Sequence, residues 1–176
     1  MKPRLRLILM SVVALGATLA LLFVWLSSRL PVAAALGAFA ENGVQVDLAL
    51  EQHRDAPCVL AARFTPLLAR YHVYSKDLPP DGVNGVGRPT RLDIVSGLTA
   101  VGELTADATT SDLKTEGIPE VLPVYPDGPV TLRLPVRVAG DGNAQVKVSY
   151  MACSTANCLP PAAKTLDIKL SQCQAH

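Results

Sequence analysis

From Val44 onward the chain changes between apolar and polar residues at every second position, in short runs divided by turn residues. Val44-Gln45-Val46-Asp47-Leu48-Ala49-Leu50-Glu51 has this pattern, as do Val130-Thr131-Leu132-Arg133-Leu134 and Val146-Lys147-Val148-Ser149-Tyr150. A period of two places one face of a strand in a core and the other in water, whereas a helix needs a period of 3.6. Further strands are expected at Cys58–Phe64, Tyr71–Tyr74, Arg91–Val95, Val101–Thr105, Ala144–Tyr150 and Thr165–Leu170, with the longest at Val130–Val138. Between them lie Pro79-Pro80-Asp81-Gly82, Asp127-Gly128-Pro129 and Gly140-Asp141-Gly142-Asn143, all rich in turn-forming residues. Short strands at this spacing predict an all-β fold, a two-sheet antiparallel β-sandwich. Pro135, inside the longest strand, predicts an edge or a bulge there. Val83–Thr90 and Ala106–Pro126 are the longest expected loops.

The first 40 residues are of another kind. Leu7 to Leu26 is a run of 20 residues without a charge, long enough as one helix to cross the roughly 30 Å of a bilayer core. Lys2, Arg4 and Arg6 precede it and predict a cytoplasmic N-terminus with the body exported. Ala38-Phe39-Ala40 has the small-x-small form of a signal-peptidase site but lies far beyond Trp25, and the apolar run exceeds that of a signal peptide. The expectation is one retained N-terminal transmembrane helix, with residues 1–40 as anchor and linker and residues 41–176 as an exported domain. Of the 16 basic residues four fall in that leader, so the body carries 12 against 15 acidic residues. An acidic body offers nothing to neutralise phosphates and excludes a nucleic-acid partner.

Four cysteines, Cys58, Cys153, Cys158 and Cys173, lie in that exported body, where disulfides persist. Cys153 and Cys158 bracket Ser154-Thr155-Ala156-Asn157, directly after a strong strand and before Pro160-Pro161. A four-residue loop closes a hairpin and leaves its flanking residues opposed, about 4.5–5.5 Å apart at Cα. So small a ring stabilises by only about 2 kcal/mol, against nearly 5 for a bond between Cys58 and Cys173. The Cys58–Cys173 pair therefore reads as a structural disulfide, and the Cys153–Cys158 pair as redox-active. The four thiols lack the paired spacing of zinc knuckles, so no metal is expected. His53, His72 and His176 do not cluster with the cysteines in sequence and read as surface or strand-edge residues. No nucleotide-binding motif and no Ser/His/Asp set is present.

The stretch Val148-Ser149-Tyr150-Met151-Ala152-Cys153-Ser154-Thr155-Ala156-Asn157-Cys158-Leu159-Pro160-Pro161 resembles the redox hairpin of the N-terminal periplasmic domain of DsbD, the thiol:disulfide interchange protein. Tyr71-His72-Val73-Tyr74-Ser75-Lys76-Asp77-Leu78-Pro79 is similar to that family's early aromatic strand, and Val124-Tyr125 through Leu132-Pro135 to the strand preceding the hairpin. The resemblance implies an immunoglobulin-like sandwich whose cysteine pair shuttles electrons between thioredoxin-like domains. It implies that Cys158 forms the mixed disulfide with partners and Cys153 resolves it, with Tyr150, Pro160 and Pro161 shaping the site. It implies a cap loop within Asp107–Glu120, a segment that here holds no Phe, Tyr or Trp. No cofactor is implied. The chain ends six residues after Leu170, so electrons are expected from a separate transmembrane conduit or a thioredoxin-like protein. The expected location is the bacterial inner membrane, single-pass, with the C-terminal domain in the periplasm. A module with two inert disulfides and a binding or structural role is the alternative.

The anchor is directly checkable. Intact-mass analysis of membrane-extracted protein is expected to return the chain with residues 7–26 retained; a mature form starting near Glu41 would contradict this.

Overall fold

A computed structural model describes residues 32–52, 56–114 and 120–170. The expected transmembrane helix lies outside these residues; among them no helix is long and apolar enough to cross a membrane. What they form is all-β and antiparallel, as the alternation predicts. One sheet runs in the order β1 (Val32–Glu41), β2 (Val44–Gln52), β3 (Cys58–Pro66), β10 (Val130–Val138) and β6 (Leu98–Ala100), with β7 (Thr105–Ala106) also on β10. The second sheet places β11 (Asn143–Tyr150) between β13 (Ala162–Lys169) and β5 (Arg91–Ser96). Two small ladders complete the set: β4 (His72–Val73) with β12 (Ala152–Cys153), and β8 (Ser111–Leu113) with β9 (Leu122–Val124).

The period-two reading locates the core correctly. In β2, Val44, Val46, Leu48 and Leu50 point inward, and in β11 Ala144, Val146, Val148 and Tyr150 do the same. They meet Leu60, Phe64, Leu132 and Val136 from the neighbouring strands in one cluster. Full burial of each such aliphatic side chain is worth about 1.5–3 kcal/mol. Phe64 and Tyr150 touch edge to face across the sandwich, with ring centroids 5.6 Å apart.

Four details differ from the sequence reading. Residues 32–40, expected as linker, belong to β1, which pairs along the whole of β2. The alanine-rich run Val32-Ala33-Ala34-Ala35 has little strand propensity of its own, and pairing with a buried neighbour overrides it. The hairpin signal is Asn42-Gly43, whose φ values of 43° and 73° make the tight two-residue turn that matches strand twist. Of the expected strand Val101–Thr105, only Thr105 is in a strand, as the first residue of β7; residues 101–104 are a gap between β6 and β7. Pro135 explains the gap: it lies in the central strand β10, not at an edge, paired with Val59 on one side. On the other side its carbonyl accepts from Val101 N–H at 2.9 Å, but it has no N–H to return. Finally, the expected Ala106–Pro126 loop contains the β8–β9 hairpin.

The two sheets are joined at Gly97, the single residue between β5 and β6. Its φ is +75°, and a Cβ built there would strike the backbone of Asn143 and Ala144. Gly43 is also left-handed, at +73°, but its Cβ would meet only the flexible end of Leu159, at 2.5 Å. Gly43→Ala is therefore expected to cost about 1–2 kcal/mol, the left-handed penalty alone. Gly97→Ala is expected to cost more, because backbone cannot rotate away. Urea denaturation of the two variants checks this order; equal losses would contradict it.

Candidate redox site

β11 does not stop at the edge of its sheet. After Tyr150 the chain continues through Met151 into β12, which leaves the β5 and β13 pairing and joins β4 instead. This extension carries Cys153 out of the main sandwich, and Cys158 returns opposite it. The four-residue turn is held by Ser154 N–H donating to the Asn157 carbonyl at 2.8 Å, and Leu159 N–H closes the ladder onto the Ala152 carbonyl at 2.9 Å. Ser154 Oγ accepts from the N–H groups of Ala156 and Asn157, both at 3.2 Å. Cys153 and Cys158 are joined as a disulfide, as their spacing allows, with Cα atoms 4.0 Å apart.

The two sulfurs have different surroundings. Cys153 is 1% exposed and packs into a second, smaller core with Tyr74, Leu78, Leu122 and Val124. Cys158 lies on the exposed side of the turn. Shielding comes from two sources. Leu122 and Val124 of β9, together with Leu113 of β8, pack with Cys153 in that core; of these three, Leu113 alone lies within Asp107–Glu120, where a cap is expected. The aromatic comes from elsewhere: the Tyr74 hydroxyl donates to Cys153 Sγ at 3.2 Å and lies 3.8 Å from Cys158 Sγ. Burial pushes the Tyr74 pKa above its ordinary value, so this hydroxyl stays a donor. Tyr71 holds the other end of the hairpin, donating to Asn157 Oδ1 at 2.6 Å.

Of the residues expected to shape the site, Tyr150 acts at a distance. It is buried in the main core, where burial and the Glu41 carboxylate push its pKa up to about 12. Its hydroxyl donates to the Glu41 carbonyl at 2.7 Å, next to the β1–β2 turn. That turn supports the exit from the cysteine hairpin: Asn42 Nδ2 donates to the Pro161 carbonyl at 3.3 Å, and Gly43 abuts Leu159. Pro160 and Pro161 are both exposed, in the strand exit beside Cys158. Cys58, at the start of β3, is disulfide-bonded and only partly exposed. Cys173, with the expected Cys58–Cys173 pairing, lies outside the described residues, as do His53 and His176.

His72 departs from expectation. It is 4% exposed, not on the surface, and stands directly opposite Cys153 in the β4–β12 ladder. Nδ1 lies 3.3 Å from Asp127 Oδ1, while Nε2 is buried without a hydrogen-bond partner. An unpaired buried polar atom costs about 1–3 kcal/mol. Tyr71, His72 and Tyr74 are thus site residues for which sequence distance from the cysteines gives no sign. An extended backbone sets His72 and Tyr74 on one face, but residues 71–75 are buried throughout and carry no apolar–polar alternation.

No protein-family model and no curated protein sequence matches the chain. Similar solved structures include the N-terminal periplasmic domain of ScsB from Proteus mirabilis, with TM-score 0.55 and 12% identity over 79% of this chain and 52% of that one. The chain therefore spans about half the length of that ScsB structure. They also include the reduced N-terminal domain of DsbD from Neisseria meningitidis, with TM-score 0.49 and 16% identity over 72% of this chain and 85% of that one. At these identities the likeness is one of fold: the chain shares the fold of that ScsB N-terminal periplasmic domain, an antiparallel β-sandwich.

The unequal exposure has a direct consequence. After reduction, iodoacetamide is expected to modify Cys158 at least about tenfold faster than Cys153, because reaction needs an accessible thiol. Peptide mapping of a labelling time course reads this, and equal rates would contradict the geometry.

Proposed function

We propose that the chain is a membrane-tethered thiol:disulfide interchange module of the bacterial periplasm. Residues 7–26 hold it in the inner membrane, and the Cys153–Cys158 pair passes electrons to or from thioredoxin-like partners or a separate transmembrane conduit. The observation that carries this reading is one disulfide with an exposed sulfur and a buried one. Interchange proceeds by thiolate attack through a mixed disulfide, so one sulfur must be reachable by a partner and the other protected until it resolves the bond. Cys158 fits the first role and Cys153 the second. The bond belongs to a ring whose loss costs only about 2 kcal/mol, so it can open without unfolding the domain.

In the reducing direction, Cys158 thiolate attacks a partner disulfide. A Cys158–partner bond forms and one partner sulfur leaves as thiolate. Cys153 then attacks Cys158, the intramolecular disulfide forms, and the second partner sulfur leaves. Two electrons have moved to the partner, whose two thiolates take up the two protons. The exposed Pro160-Pro161 exit after Leu159 lacks two N–H donors, which keeps that stretch of edge beside Cys158 available to a docking surface. Cys58 and Cys173 would form a structural bridge with no part in the exchange.

Cys153→Ser is expected to trap a covalent complex between Cys158 and a thioredoxin-like protein, visible on non-reducing gels. Cys158→Ser is expected to trap none while remaining folded. If Cys158→Ser traps the partner, the roles are reversed. If both variants unfold and neither traps, the pair is structural and the module has a binding role.

A further inference from the structure

His72 and Cys153 are direct partners in an antiparallel ladder, so their side chains leave the same face with Cβ atoms about 4.5–5.5 Å apart. The Tyr74 ring stands edge-on to the imidazole at 6.2 Å between centroids, which confines it on that face. Asp127, in the turn before β10, lies 3.3 Å from Nδ1 and is itself half exposed. A carboxylate only accepts, so Nδ1 carries the proton and donates. In the neutral ring Nε2 is then a bare lone pair. It is the buried side-chain nitrogen or oxygen without a hydrogen-bond partner among the described residues.

That vacancy matches the oxidation state. In a disulfide, Cys153 Sγ has no proton to offer; reduced, it has one. We propose that His72 Nε2 is the proton acceptor for the Cys153 thiol, with Asp127 as the positioning residue that fixes the tautomer. This rests on the interchange reading of the Cys153–Cys158 pair. The titratable groups facing the imidazole are Asp127 from the turn before β10, Tyr74 from the β4 segment and Cys153 from β12. Tyr74 is a donor to Sγ and cannot take its proton. A buried thiol ionises reluctantly, so resolution of a mixed disulfide needs a base within the protein.

The step balances. The Cys153 proton passes to Nε2, giving an imidazolium paired with the Asp127 carboxylate. Cys153 thiolate attacks Cys158 Sγ; the Cys153–Cys158 bond forms, and the bond from Cys158 to the partner breaks. The electron pair leaves on the partner sulfur. That thiolate takes a proton from water, and the imidazolium returns its proton to water by way of the exposed Asp127 side.

The test uses the reduced full chain in detergent and a chromogenic aryl disulfide. Attack by Cys158 releases one aryl thiolate, and displacement by Cys153 releases the second. His72→Phe is expected to leave the first phase unchanged and slow the second by about a hundredfold, the low end of general acid–base catalysis. Asp127→Asn should slow the second phase less. In the wild-type chain at one fixed pH, nitrogen NMR of the His72 ring should give a different Nε2 signal in the oxidised and reduced states, since only the reduced sulfur has a proton to offer. A folded His72→Phe chain with an unchanged second phase overturns the assignment, as does an identical His72 Nε2 signal in both states should that variant fail to fold. A wild-type chain that releases no second thiolate overturns the interchange reading as well, which separates the two failures.

Discussion

The site depends on one strand serving two partners. β11 is the centre of its sheet, bonded to β5 and β13 along its length, and Val146, Val148 and Tyr150 anchor it in the main core. Past Met151 the same strand, as β12, pairs with β4. Cys153 is therefore held by a strand whose other end is anchored in the main core, while Cys158 sits on the exposed turn, tied to the domain by its bond to Cys153 and the returning chain. Stiffness on one side and access on the other follow from this continuity.

The short elements around the disulfide make sense in those terms. β4 contributes two residues, yet it puts His72 opposite Cys153 and leads into Tyr74, whose hydroxyl meets Sγ. β8 and β9 contribute three each and pack Leu113, Leu122 and Val124 into the same small core as Cys153. None of these pieces is stable alone; two-stranded ribbons in water are marginal at best. They hold because their apolar side chains form a small core around the disulfide. Removing a residue from that core is thus expected to affect the site before it affects the sandwich, where the larger burial lies.

Legibility in the sequence followed the range of the interaction. The strands β2, β10 and β11 were visible because alternation is local and each buries one face. The cysteine hairpin was visible because four residues are enough to close it. β1 was not, since an alanine-rich strand owes its structure to the neighbour it pairs with; only Asn42-Gly43 gave a local hint. Pro135 was read as an edge or a bulge because a missing donor is expected there; β10 is no edge, and the irregularity lies in the adjoining strand, where residues 101–104 leave the ladder. Tyr74 and His72 lie about 80 residues from Cys153, at separations of 79 for the Tyr74–Cys153 hydrogen bond, and no local pattern joins residues so far apart. The cap was expected within Asp107–Glu120, yet of the apolar residues packed around Cys153 only Leu113 belongs to that segment; Leu122, Val124 and the Tyr74 hydroxyl come from outside it.

The central claim is that one disulfide is built to open while the other holds. Differential thiol labelling of the protein across a thioredoxin redox buffer tests it most directly. The account predicts that Cys153 and Cys158 become labelled as the potential passes the thioredoxin range, near about −270 mV, while Cys58 stays protected. Labelling of Cys58 before or together with the hairpin pair would contradict it.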